Sequence, residues 1–308
     1  MAEPEIGRDR NGVAYKLRQI SCPTCELSDT RYVGLRGGEH QRYGLGICST
    51  IVQCRRCGLL YPDPFPIPEN PQTLYGDPDK YFENHDTSLR VEKFVRVLRE
   101  VPRHQGDLRS LLDVGSGRGE MLAAARKENV PRIVGLELSH AMIQHAREQY
   151  DVEVLPLTIE QYAEQAPEAF SVVTLNAILE HVYDPNAMIA ASRALCRPGG
   201  LLYLDIPNEP NLLSRVAHVY NRARGKQTVI NLSPTFSPYH VFGFNQRSLT
   251  TLLAKHGFEV LALRIFAEPW VRARGGADSV KAVLARQVMR IANLTRTAGN
   301  MFVWARRR

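Results

Sequence analysis

Residues 111–120 read LLDVGSGRGE, with glycine at the alternate positions 115, 117 and 119. An apolar run precedes the glycines, and the helix formers Glu120, Met121, Leu122, Ala123, Ala124 and Ala125 follow them. The pattern predicts a strand, a tight turn and a helix. Such a unit brings backbone N–H groups and a helix N-terminus up to a ligand. The spacing narrows the ligand. A triphosphate loop needs G-x-x-x-x-G-K-[ST], and no Lys-Ser or Lys-Thr follows here. A dinucleotide loop needs G-x-G-x-x-G. Counted from Gly115 the sixth position is Glu120, and counted from Gly117 it is Leu122. Asp113 stands at the carboxyl end of the predicted strand, where a carboxylate suits a positively charged group such as an α-amine.

From residue 108 onward the chain alternates. Strands are predicted at SLLDVG (110–115), RIVGLEL (132–138), VEVL (152–155), SVVTLNA (171–177) and LLYLDIP (201–207). Helices fall near 86–101, at 118–128, from Ser139 to Tyr150, near 158–166 and at 185–196, the last with Asp184 as cap and Pro185 at its first position. A helix (247–256), a strand (258–266), a helix (278–294) and a final strand NMFVWAR follow. This alternation predicts a parallel sheet with helices on both faces. Residues 208–244 interrupt it with a basic stretch, LLSRVAHVYNRARGK, and a Pro-rich one, LSPTFSPYH. An insertion after the fifth strand lies over the carboxyl ends of the strands, where ligands bind, so it reads as a lid or substrate wall.

The first 15 residues are polar and read as mobile. Cys22-Pro23-Thr24-Cys25 and Cys54-Arg55-Arg56-Cys57-Gly58 follow, with 28 residues between the pairs. MAEPEIGRDR carries no secretory signal, which predicts a cytoplasmic chain in which metal is a better explanation of paired cysteines than disulfides. Four thiolates make a closed tetrahedral zinc site of structural type. Cys48 and Cys196 stand apart and read as buried thiols. The Pro-rich PDPFPIPENP (62–71) reads as an extended linker. The domain organisation predicted is a zinc-ribbon module at 1–62, a linker and lid segment at 63–85, and an α/β domain at 86–308 with its lid insertion at 208–244. The net charge is +7 and uneven: from Arg264 to Arg308 ten Lys or Arg face two acids. That balance fits solvated helix faces or an anionic partner.

Together these features resemble the class I S-adenosylmethionine-dependent methyltransferases, from near residue 86 to the end. The loop resembles the family's first motif. Strand two ends in Glu137, and TLNAILEHVYDP (174–185) resembles the fourth-strand motif of the small-molecule branch. RPGG before strand five, IPN after it and HGFEV near 256–260 are also family-like. The resemblance implies a Rossmann-like, doubly wound, mostly parallel seven-stranded sheet with an antiparallel last strand. It implies that Asp113 and the turn Gly115, Ser116, Gly117 and Gly119 hold the methionine part of S-adenosylmethionine. Glu137 would accept from the ribose hydroxyls, Leu138 would pack on adenine, and Ile159 would meet the adenine amino group through backbone alone. Asn176 would lie near the methyl.

Methyl transfer of this kind is an in-line displacement, so alignment is the main task, with a base needed for a hydroxyl or acidic carbon. His181 and His240 are the candidate bases. Some methyltransferases similar to this chain bind a divalent ion through E-x-x-E-H and a later His. Here Ala177 replaces the first Glu, which leaves Glu180, His181 and His240. Zinc-ribbon heads precede the methyltransferase domain in bacterial enzymes that resemble sugar and natural-product methyltransferases. The function expected is methylation of a small molecule, sugar or glycan intermediate that carries a phosphate. The alternatives are an RNA methyltransferase using the ribbon and the basic C-terminal region, and a non-catalytic S-adenosylmethionine-binding module. The stripe Val280, Val283, Leu284, Val288, Ile291 and Leu294, with Lys281, Arg286 and Arg290 beside it, packs on the sheet or makes peripheral membrane contact.

Overall fold

The computed structural model describes residues 5–9, 12–37, 40, 47–69, 88–165, 170–230, 232, 240–267 and 280–308. Two small antiparallel sheets begin the chain. One joins β1 (Glu5–Arg8), β2 (Ala14–Arg18) and β6 (Phe65–Pro68); the other joins β3 (Thr30–Arg36), β4 (Ser49–Cys54) and β5 (Leu60–Pro62). The mobile start expected from polarity is therefore corrected from Glu5 onward. Asp9 closes a turn by accepting the Val13 N–H at 3.0 Å, Gly12 takes φ +79, and Tyr15 is buried beneath the hairpin. The Pro-rich run is extended as expected at 65–68, where it pairs with β2. The rest of the linker, residues 70–85, and residues 233–239 of the lid lie outside the described residues.

Cys22 and Cys25 precede β3, and Cys54 and Cys57 flank the turn between β4 and β5. The sulfurs pair at 3.5 Å (Cys22 and Cys57) and 3.4 Å (Cys25 and Cys54). Gly58 follows the second pair at φ +80. Cys196 is buried as expected, whereas Cys48 is exposed; it stands just before β4, outside the half-buried strand face.

Helix α1 (Ser88–Leu98) leads into a seven-stranded sheet built from β7 (Ser110–Val114), β8 (Arg132–Leu136), β9 (Val154–Leu155), β10 (Phe170–Asn176), β11 (Cys196–Pro207), β12 (Phe258–Phe266) and β13 (Asn300–Arg307). Their order is β12-β13-β11-β10-β7-β8-β9. Strands β7 to β11 pair in parallel, while β13 runs antiparallel to both β11 and β12. The central strands are apolar on both faces, as a sheet covered on both sides requires: every residue of β10 except Asn176 is buried. The helices between are α2 (Glu120–Lys127), α3 (His140–Tyr150), α4 (Ile159–Gln165) and α5 (Pro185–Leu195); α6 (Leu212–Ala223), α7 (Gln246–Lys255) and α8 (Val280–Leu294) complete the chain. Asp184 caps α5 by accepting the Ala187 N–H at 3.0 Å, which satisfies one of the orphan donors of the first turn. On α8, the described part of the apolar stripe faces solvent, with Leu294 85 % exposed. The side chains of Val280, Val283 and Leu284 lie outside the described residues. Among the described residues no helix is long and apolar enough to cross a membrane.

The ribbon and the sheet share a core. Cys22, Cys54, Cys57, Leu59 and Phe65 pack in one apolar cluster with Leu175, Ile189, Phe242 and Leu253. The Phe65 ring stacks on Phe242 with centroids 5.3 Å apart. Asn186 and Lys255, on α5 and α7, donate to the Pro23 carbonyl.

The glycine turn is closely packed against its neighbours. Gly119 holds φ +86, and a Cβ there would stand 2.8 Å from the Ala146 Cβ on α3. Gly119→Ala is expected to lower stability by about 1–3 kcal/mol through backbone strain and helix displacement, read as a lower midpoint of urea unfolding.

Candidate active site

The carboxyl ends of β7, β8, β10 and β11 converge beside the glycine turn. Asp113, the fourth residue of β7, is 3 % exposed. Its Oδ1 accepts from the Thr174 hydroxyl at 2.6 Å and from the Asn176 amide at 3.1 Å. Parallel register sets the first contact, since Thr174 lies directly across from Asp113. Burial pushes the Asp113 carboxyl up to about 7, against the two hydrogen bonds that favour its charged form. Gly115 turns away at φ +65, and a Cβ there would meet Ile178 at 2.4 Å. The hydroxyl of Ser116, the Oδ1 of Asn176 and the Oε1 of Glu120 are buried with no hydrogen-bond partner. Buried polar atoms of this kind need a partner, and three of them surround one turn.

Glu137 follows β8 directly. Its Oε2 accepts the Gly117 N–H at 2.9 Å, and its Oε1 accepts the Leu138 and Ser139 N–H groups at 2.8 and 2.9 Å. Three of about four acceptor positions are thus engaged by backbone, with the free one on Oε2, so bidentate capture of a diol would displace one of the two bonds at Oε1. Leu138 is 46 % exposed beside it. The side chain of Ile159 is buried in the core. The buried acid, the turn with its orphaned polar atoms and the second acid fit a ligand with an ammonium group, a carboxylate and a sugar diol. S-adenosylmethionine has all three.

On the other side of the turn, His181 and His240 stack edge to face with ring centroids 4.7 Å apart. Fifty-eight residues of chain lie between them in sequence. They meet because the Glu180 carbonyl accepts the Val241 N–H at 2.7 Å and the Phe242 N–H at 3.2 Å. The ligand atoms of Glu180, His181 and His240 all lie within 4.8 Å of one another. Glu180 is 2 % exposed, and burial pushes its carboxyl up to about 7, with His240 opposing. Its Oε2 and the His240 Nδ1 are buried without hydrogen-bond partners.

Two residues here were not singled out from sequence. Glu209 stands 3.9 Å from the His240 Nδ1, and its other oxygen accepts the Leu232 N–H at 2.6 Å. Arg36, on β3, donates to the carbonyls of His240 at 2.6 Å and Leu232 at 3.0 Å. Neither carries a local motif. The only sequence signal is a charged residue inside an otherwise apolar or Pro-flanked run. A third link closes the edge: Lys93 on α1 pairs with Asp205 at 3.1 Å.

The fold and this edge define a class I S-adenosylmethionine-dependent methyltransferase. A model of the methyltransferase domain matches residues 84–263, more than half of the sequence, and the chain belongs to that family. Ubiquinone biosynthesis O-methyltransferase of Pseudomonas entomophila is 34 % identical over 105 residues, which are 32 % of this chain and 45 % of that relative. The Vibrio atlanticus enzyme of the same name is 34 % identical over 105 residues, 32 % of this chain and 44 % of that relative. The chain thus spans less than half the length of the curated relatives it matches. A chain from the complex of the Haloferax volcanii Trm112 methyltransferase activator superposes with TM-score 0.52 at 18 % identity, over 74 % of this chain and 92 % of that one; it shares the fold.

The folded-state pKa of Asp113 lies above the ordinary value of 3.8, so the folded state holds a proton that the unfolded state has lost. Stability therefore falls as pH rises from about 4 to 7 and stays low above it. Asp113→Asn is expected to raise the thermal midpoint of the ligand-free protein at pH 8, with the gain shrinking toward pH 4, in a calorimetric pH series.

Proposed function

We propose that this chain transfers the methyl group of S-adenosylmethionine to a small-molecule, sugar or glycan-intermediate acceptor. The observation that carries the reading is the juxtaposition, across one glycine turn, of a buried carboxylate and a histidine pair. Asp113 binds the ammonium group, and Gly115, Ser116, Gly117 and Gly119 line the amino-acid part through backbone. Glu137 orients the ribose, Leu138 covers one face of the base, and the Ile159 backbone meets its edge. Asn176 stands between Asp113 and the reacting centre. The cofactor supplies an activated methyl on sulfonium sulfur; the chain supplies alignment.

His240 takes the proton of the acceptor, with Glu209 beside its Nδ1 to stabilise the cation that forms. His181 packs edge-on and limits the rotation of the His240 ring. The names of the curated relatives, which refer to an O-methyltransferase, support a hydroxyl acceptor. The orphaned Glu180 Oε2 and His240 Nδ1 favour one further reading of the same cluster, a divalent cation held by Glu180, His181 and His240; stimulation of the purified protein by added Mg²⁺ or Mn²⁺ tests it.

The ribbon holds zinc in this reading. A tetrahedral site with metal–sulfur bonds of about 2.3 Å has sulfur–sulfur edges of about 3.8 Å, close to the pairs at 3.4 and 3.5 Å. The organisation proposed is a ribbon at 1–62, a connecting segment at 63–85 and the methyltransferase domain at 86–308. The purified chain is expected to contain one equivalent of zinc by elemental analysis. Cys57→Ser is expected to lose it and to unfold at a lower temperature, because Cys57 lies in the core shared with the sheet.

The test of the transfer reading is incubation with methyl-labelled cofactor and cell extract, followed by fractionation into RNA, protein, lipid and small solutes. Label is expected in the small-solute or lipid fraction, at least a hundredfold reduced for His240→Ala. Label in RNA overturns the acceptor assignment.

A further inference from the structure

A surface cleft of roughly 520 Å³ lies on the far side of the segment that carries Glu209. Asn208 and Pro210 line it, while the Glu209 side chain between them points the other way, toward His240. One layer of backbone therefore separates the cleft from the histidine pair. Three arginines from three different elements converge on the cleft: Arg215 of α6, Arg247 in the first turn of α7, and Arg296 after α8. None of its lining residues is a carboxylate. Among the described residues none of the three guanidinium groups has an acidic partner, although nine Lys or Arg side chains elsewhere pair with carboxylates. Like charges so placed repel one another unless an anion lies between them. The remaining lining is polar, with Gln53 from the ribbon, Asn245 and Thr297. Arg296 takes a left-handed backbone conformation at φ +54, which favours glycine or asparagine.

We propose that this cleft binds a phosphate or diphosphate group. Planar guanidinium forks match phosphate oxygens bidentately, and a cleft of this volume accepts a diphosphate with part of what carries it. Two sources present that chemistry. One is a soluble phosphorylated molecule. The other is a phospholipid headgroup, since α6 continues from Arg215 with Val216, Val219 and Tyr220 each more than half exposed, and residues 210–230 contain four Lys or Arg and no acid. The proposal does not depend on the methyl-transfer reading.

The experiment titrates the full chain with inorganic diphosphate at low salt by calorimetry. In parallel the protein is co-sedimented with phosphatidylglycerol or phosphatidylcholine vesicles. The variants are Arg215→Gln, Arg247→Gln and Arg296→Gln, all exposed side chains whose loss leaves the core intact. Diphosphate is expected to bind at one site and to weaken about tenfold or more with each substitution, while S-adenosylmethionine affinity stays unchanged. Arginine-dependent binding to phosphatidylglycerol without diphosphate binding assigns the phosphate to a lipid. The proposal is overturned if neither ligand binds, or if binding is the same in all three variants. Methyl transfer is read by neither assay, so its failure and the failure of the cleft are separate results.

Discussion

Residues 240–244 are held from three sides at once, and the architecture of the site follows from that. The Glu180 carbonyl takes the Val241 and Phe242 N–H groups, Leu60 of the ribbon exchanges both backbone bonds with Gly243, and the Phe244 carbonyl accepts from Glu209. Glycine suits 243 because a Cβ would stand 3.0 Å from side-chain atoms of Leu60 and Leu232 and 3.1 Å from Glu209, so these neighbours would have to give way. Strand motif, ribbon and lid thus meet at one residue without a side chain. With this joint in place, His240 is delivered to His181 and Phe242 is delivered to Phe65.

The electrostatics of the edge divide into two parts. Asp113 and Glu180 are both buried carboxyls raised toward neutrality by desolvation. The first has its hydrogen bonds from Thr174 and Asn176; the second retains an unpartnered oxygen next to an imidazole. Keeping such groups costs stability, and enzymes concentrate that cost where a charged ligand or a proton is handled. Two further carboxylates on the edge have partners: Glu137 accepts from backbone N–H groups, and Asp205 pairs with Lys93.

How much of this was legible in the sequence depended on whether the cause was local. The glycine turn, the Asp184-Pro185 start of α5 and the two cysteine pairs announce themselves because each answers a demand of the backbone or a metal within a few residues. The strand-and-helix alternation carried the parallel sheet, and the family resemblance carried the antiparallel β13. Boundaries were less legible: VEVL shrank to Val154–Leu155, and β11 begins already at Cys196, because pairing partners and not propensity set the ends. The hairpin of β1 and β2 was hidden by polar composition. Arg36 and Glu209 were invisible, since Arg36 finds its acceptors about two hundred residues away and Glu209 acts on a segment reached through the lid. Cys48 read as buried by residue type alone, which says nothing about a position at the start of a strand.

The exchange of backbone bonds between Leu60 and Gly243 ties the ribbon to the segment that carries His240. Loosening the cysteine turns would loosen residues 241–244 through that pair of bonds. By linkage the converse would hold with the same free energy: a ligand at His181 and His240 would strengthen the binding of the ion proposed for the four thiolates. A module that holds none of the proposed reacting groups would in this way be thermodynamically audible at the histidine pair.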